Sequence, residues 1–179
     1  MREEYDSMTD EPKEEIGLRL VVFGPGEGTP VRANLNNEDM IHLKVTGQDS
    51  NGLLTVLEYH AVPHSDGVEP HTHAGHEEGF YVVDGELSML VGKERTVLKP
   101  GGWGFVPRNV LHAFWNDSDQ PCTFVATFTP PGFERIFFDT QRIGSRPFTP
   151  EEMAEMARKH GVMRVPWDQV DTFVTPTDR

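Results

Sequence analysis

Residues 71–92 read HTHAGHEEGFYVVDGELSMLVG, and residues 101–116 read GGWGFVPRNVLHAFWN. In each, a β-rich apolar run borders histidine, and each is broken by turn formers: Asp84-Gly85, Gly92-Lys93 and Gly101-Gly102. The runs GFYVVD (79–84), ELSMLV (86–91), WGFV (103–106) and HAFWN (112–116) are four to six residues long, the length of strands rather than helices.

The same texture continues on either side. LRLVVF (18–23), MIHLKVT (40–46), LLTVLEYHAV (53–62), RTVL (95–98) and CTFVATFT (122–129) are further short runs, separated by turn clusters such as 47–52 and 116–120. Many short strands without intervening helices predict an all-β antiparallel sandwich or barrel. Helix signals come late. Residues 132–140 space Phe133, Ile136, Phe137 and Phe138 onto one apolar face. In TPEEMAEMARKHG (149–161), Thr149 is an N-cap, Pro150 opens the first turn and Glu152 completes a capping box. Met153, Met156, Ala157 and His160 share a stripe, and Gly161 stops the helix.

Composition narrows the function. The 179 residues suffice for one domain with a core that needs no disulfide staple. A single cysteine, Cys122, excludes an internal disulfide and a thiolate zinc site, and suits a reducing, cytoplasmic compartment. The net charge of −13 repels phosphate backbones and anionic lipid, which argues against nucleic-acid and membrane partners. No run has the length of a spanning helix, and the first twenty residues carry acids where a signal peptide needs an apolar stretch. Seventeen Gly and fourteen Pro speak for many turns and against a helical bundle or a Rossmann-type fold. GPGEG (24–28) lacks the Lys-Ser/Thr ending of a phosphate loop and is rejected as one.

The chemistry lies in the histidines. On a strand, His71 and His73 point to one face and can chelate one ion. A carboxylate from the neighbouring run adds a hard oxygen; alternation alone does not choose between Glu77 and Glu78. His112 begins another β-run after the Pro107-Arg108-Asn109 turn. Three imidazoles and a carboxylate suit one divalent transition metal (iron, nickel, cobalt, manganese or zinc), not calcium. His76 falls out of phase and is expected to be turn-exposed or supporting. His42, His60 and His64 lack partners in sequence and read as surface or strand residues, with Tyr59 or His60 facing the interior; His160 suits the negative end of its helix.

These two segments resemble the motifs of the cupin superfamily, in particular the single-domain quercetin dioxygenase-like cupins. His71-x-His73-x4-Glu78-x6-Gly85 fits the first motif, and its distance to Gly85 selects Glu78 over Glu77. Gly101-x5-Pro107-x-Asn109-x2-His112-x3-Asn116 fits the second, with Asn109 where the pattern has glycine; Ser65 stands where the first motif usually opens with glycine. The resemblance spans residues 40–140. It implies a jelly-roll β-barrel with short C-terminal helices, holding one metal on His71, His73, Glu78 and His112. It also implies that Glu78 doubles as the catalytic base, with the apolar run Phe80, Tyr81, Val82 tuning it by desolvation. Tyr59, Phe80, Phe114, Phe124, Phe128 and Phe133 are the expected substrate pocket, with Phe133, Phe137 and Phe138 near the barrel mouth. The implied activity is that of an oxidoreductase, a metal-dependent dioxygenase of a small flavonol-like ring compound with O2 as co-substrate. Two alternatives stand beside it: a metal-dependent non-oxidative cyclase, isomerase or decarboxylase, and a small-molecule-binding cupin without turnover. Family likeness further implies a homodimer, with 18–23 as a candidate edge strand. The expected layout is a flexible acidic arm (1–16), the barrel (17–140) and a helical C-terminal extension (141–179).

Overall fold

A computed structural model describes residues 20–32, 38–143 and 148–173. The expected arm, residues 1–16, lies outside them. Eleven strands are described: β1 (Thr29–Val31), β2 (Met40–Val45), β3 (Thr55–Ala61), β4 (Val68–His73), β5 (Glu77–Asp84), β6 (Leu87–Val91), β7 (Glu94–Leu98), β8 (Trp103–Val106), β9 (His112–Trp115), β10 (Cys122–Thr129) and β11 (Val162–Arg164). Helices α1 (Arg135–Ile143) and α2 (Pro150–Lys159) and a final 3-10 turn (Trp167–Thr172) complete the set.

The strands form two antiparallel sheets, ordered β1-β2-β3-β10-β5-β8 and β11-β4-β9-β6-β7. This is the jelly roll anticipated from the sequence. Strict alternation drives it. In β10, Cys122, Phe124, Ala126 and Phe128 are buried while the residues between them are not; β3 alternates likewise through Thr55, Leu57, Tyr59 and Ala61. The inward set meets Phe80, Val82, Leu87, Met89 and Phe114 from neighbouring strands to make one core between the sheets. Gly85 turns β5 into β6 at φ 76°, and a Cβ there would sit 2.3 Å from the Pro121 carbonyl oxygen.

The run 18–23 departs from expectation. Of its described residues, 20–23 form no strand, and Leu20 and Val22 are 88% and 77% exposed. The outer edge beside β2 is taken instead by β1, so no edge strand for a homodimer exists at 20–23. The C-terminal region is more than helical: β11 returns to pair with β4, Val162 opposite His73 and Arg164 opposite His71. Thr149 caps α2 as read from the sequence, its hydroxyl accepting from the Glu152 N–H while the Glu152 carboxylate accepts from the Thr149 N–H. The α1 face is narrower than expected, because Phe137 is buried but Phe138 is turned outward.

Candidate metal centre

Facing sheets supply the four expected donors. His71 and His73 project from β4, and His112 opens β9 in register opposite His71. Glu78 projects from β5 in the other sheet. All four side chains are buried, and one donor atom from each lies within 4.8 Å of the others. His71 Nε2 is 3.2 Å from His73 Nε2, while Glu78 Oε2 is 3.3 Å from His73 Nε2 and 3.0 Å from His112 Nε2.

Hydrogen bonding decides what these atoms can hold. His71 Nδ1 is 2.7 Å from the Glu69 carbonyl oxygen, and His112 Nδ1 is 3.0 Å from that of Val110. A carbonyl only accepts, so each Nδ1 carries a proton and each ring turns its Nε2 to the centre. There His112 Nε2 faces a carboxylate oxygen of Glu78 at 3.0 Å, a pair satisfied by a proton or a cation between them. Burial opposes protonation: it holds His71 well below the ordinary histidine range, aided by the charges of His112 and His73. His73 is likewise lowered by burial, against the pull of Glu78. For Glu78, burial pushes the carboxyl up, but His112 and His73 prevail and keep it well below the usual carboxylate range. Desolvation by the run 80–82 therefore does not win, and Tyr81 faces outward, 43% exposed. Three imidazole nitrogens and one ionised carboxylate, without thiolate, fit a divalent transition metal.

Beside the donors is a cavity of about 290 Å³ whose wall includes Tyr59, Phe114, Phe124, Phe128 and Phe133 together with His71, His73 and Glu78. Phe80 is not among the lining residues. It is wholly buried against Phe114 and His112, at 5.6 and 6.4 Å between ring centroids, and so belongs to the packing behind the wall. Sequence reasoning missed the part of the wall formed by Thr140, Val162 and Arg164, and did not assign Ile136, Phe137 or Met153 to it. The apolar stripes of α1 and α2 were the available signal. His76 is neither turn-exposed nor one of the four donors. It is buried, its ring 4.6 Å from His73 and 5.0 Å from Phe133, and its Nε2 has no hydrogen bond among the described residues.

Comparison with known proteins agrees with this architecture. The Cupin domain family matches residues 58–128, which include all four donors. These residues form a cupin domain. The chain is 36% identical to quercetin 2,3-dioxygenase of Aspergillus japonicus over 115 residues, covering 60% of this chain and 32% of that protein. It is 28% identical to quercetin 2,3-dioxygenase of Bacillus subtilis over 116 residues, covering 65% and 33%. The cupin thus spans about a third of the length of these curated relatives. Among solved structures, a Thermotoga maritima protein described as a predicted oxalate decarboxylase superposes with a TM-score of 0.55 at 21% identity, covering 62% of this chain and 97% of that one. An RmlC-like cupin from Shewanella frigidimarina gives 0.52 at 22%, covering 63% and 91%. These two likenesses establish the fold.

Details of the cupin motifs follow from local geometry. Asn109 adopts φ 64°, the left-handed conformation that glycine would supply in its place. Its N–H donates to the His73 carbonyl oxygen at 2.8 Å, tying the turn before His112 to the strand that carries the other imidazoles. Asn116 is buried and donates to the carbonyls of Val62 and Gln120 while accepting from Ser118. Ser65 donates to Asp39 at 2.6 Å, and the positive φ values of this loop fall on either side of it, at His64 and Gly67. Among the described residues no helix is long and apolar enough to cross a membrane.

Proposed function

We propose that this cupin is a metal-dependent dioxygenase acting on a flat, enolisable aromatic compound of the flavonol class. The observation that carries the reading is a buried carboxylate, Glu78, clustered with three imidazoles beside a cavity walled by aromatic rings. The likeness to two quercetin 2,3-dioxygenases supports the substrate class. His71, His73, Glu78 and His112 would hold one divalent ion, which when bound supplies Lewis acidity toward a substrate oxygen and redox access to dioxygen.

The protein's own groups account for the rest. Phe128 and Phe133 stack at 4.4 Å, and Phe133 stands edge-on to His73 at 4.7 Å, so a planar ring entering beside them lies close to the donors. Glu78, kept ionised, accepts the proton of the substrate's acidic hydroxyl and returns it to the product after ring oxidation. Apolar walls keep bulk water from the reacting oxygen.

The test is oxygen uptake by metal-stripped protein reloaded in turn with iron, nickel, cobalt, manganese and zinc, over a panel of flavonols and simpler enolisable phenols. Uptake with at least one ion is expected, together with its loss in Glu78→Gln. Turnover that persists without oxygen would replace this reading by a non-oxidative one, and no turnover under any condition would leave a binding protein.

A further inference from the structure

We propose a second metal site on this chain, formed by His42, Glu58 and His60 on the outer face of the first sheet. The alternation that turns Ile41, Leu43, Leu57 and Tyr59 into the core turns His42, Glu58 and His60 the other way. His42 is in register opposite Glu58, and His60 lies two residues further along the same strand face. One donor atom from each lies within 4.8 Å of the other two, and all three residues are half-buried. The site is thus separated from the barrel donors by the sheet itself.

The hydrogen bonding suits an ion. His60 Nδ1 is 3.1 Å from the Thr123 hydroxyl, which can accept its proton and leave Nε2, 2.8 Å from Glu58 Oε1, as the metal-facing atom. The Gly26 N–H donates to Glu58 Oε1 at 2.9 Å and orients the carboxylate. His42 Nδ1 is buried and has no hydrogen bond among the described residues, although the ring stands edge-on to His60 at 5.6 Å. A surface hollow lined by Phe23, Gly24, Pro25, Lys44, Glu58 and His60 gives access. Two imidazoles and one carboxylate take zinc, cobalt, nickel or copper.

One cation is already present. The Lys44 ammonium lies 3.2 Å from Glu58 Oε1 and also donates to the Gly24 and Glu27 carbonyls. It neutralises the carboxylate and competes with a metal ion, so Lys44 sets the affinity of the site, and removing its charge strengthens binding.

The experiment is calorimetric titration of metal-stripped full chain with Zn²⁺. The double variant His71→Ala/His73→Ala, lacking the barrel site, is expected to bind one zinc, and adding Lys44→Met to tighten that binding at least about tenfold. Replacing His42 and His60 by Gln in the same background should abolish it. A folded His71→Ala/His73→Ala protein that binds no zinc, with or without Lys44→Met, overturns the proposal. Should that variant fail to fold, stoichiometry decides: two ions per wild-type chain falling to one in His42→Gln/His60→Gln supports the site, and an unchanged stoichiometry overturns it. Turnover plays no part in this readout, so it stands or falls separately from the dioxygenase reading.

Discussion

Glu134 is the least expected buried charge near the cavity, and replacing it with Gln tests how the barrel mouth is held. Its carboxylate accepts three hydrogen bonds: from the Thr55 hydroxyl at 2.6 Å and the Gly132 N–H at 2.7 Å on Oε2, and from the Gly47 N–H at 2.9 Å on Oε1. It therefore ties the 47–52 turn and β3 to the segment that carries Phe133. Glutamine has one carbonyl oxygen. With that oxygen placed to keep Thr55 and Gly132, the amide nitrogen faces the Gly47 N–H, donor against donor. One unsatisfied buried N–H costs about 1–3 kcal/mol. Taking ~2 kcal/mol, a chain of this size melts roughly 4–8 °C lower.

The pH dependence gives the sharper check. Burial alone would raise the Glu134 carboxyl, but the bonds from Thr55, Gly47 and Gly132 hold it below its ordinary value of 4.5. A carboxyl with a depressed folded-state pKa contributes fully above the unfolded value and loses that contribution as pH falls through the folded one. Thermal melts followed by circular dichroism should thus show the largest gap between wild type and Glu134→Gln at neutral pH, closing on acidification below about pH 4.5. A gap that is absent at pH 7, or that widens in acid, refutes the account of Glu134 as an ionised acceptor.

Asn109→Gly is expected to leave the melting temperature nearly unchanged because φ is 64° there, whereas Asn109→Ala should cost about 1 kcal/mol. Equal melting of the two variants would show that the left-handed turn is not what the residue provides. Cys122 is wholly buried, and burial, with the nearby charge of Asp84, pushes its thiol up to about 11, so little thiolate forms at pH 8. An aromatic disulfide reagent should label it only after denaturation, and rapid labelling of native protein would contradict its placement.

Legibility in the sequence followed the strength of local pattern. β8 and β10 run over the residues read as WGFV and CTFVATFT, because alternation and flanking turns define both ends. Of the four clustered side chains, the three histidines stand in local features, H-x-H on a strand and a histidine after a turn, whereas Glu78 was separable from Glu77 only through the motif's distance to Gly85. β1 and β11 were not: each has three residues, β1 contains Pro30, and both exist through pairing with β2 and β4 rather than through propensity. The run 18–23 failed for the converse reason, since at 20–23 apolar residues without a pairing partner do not make a strand. His76 depended on Phe128 and Phe133, far along the chain, and the meeting of His42 with Glu58 on register between β2 and β3. None of these is visible in spacing alone.

This division has a consequence for specificity. The donors come from β4, β5 and β9, tied together by the Asn109 N–H to the His73 carbonyl and by the register of His71 with His112. The shape of the cavity, by contrast, owes much to residues beyond β10: Phe133, Ile136 and Phe137 near α1, Met153 on α2, and Val162 and Arg164 on β11. β11 also covers the edge of the strand that bears His71 and His73, which would otherwise expose unpaired backbone beside the site. Chemistry and shape are thus encoded in separate stretches, joined at one sheet edge. Substitutions in α1, α2 and β11 can alter the shape of the cavity without touching a donor, whereas loss of the left-handed turn at Asn109 disturbs the tie between the strands that carry the donors.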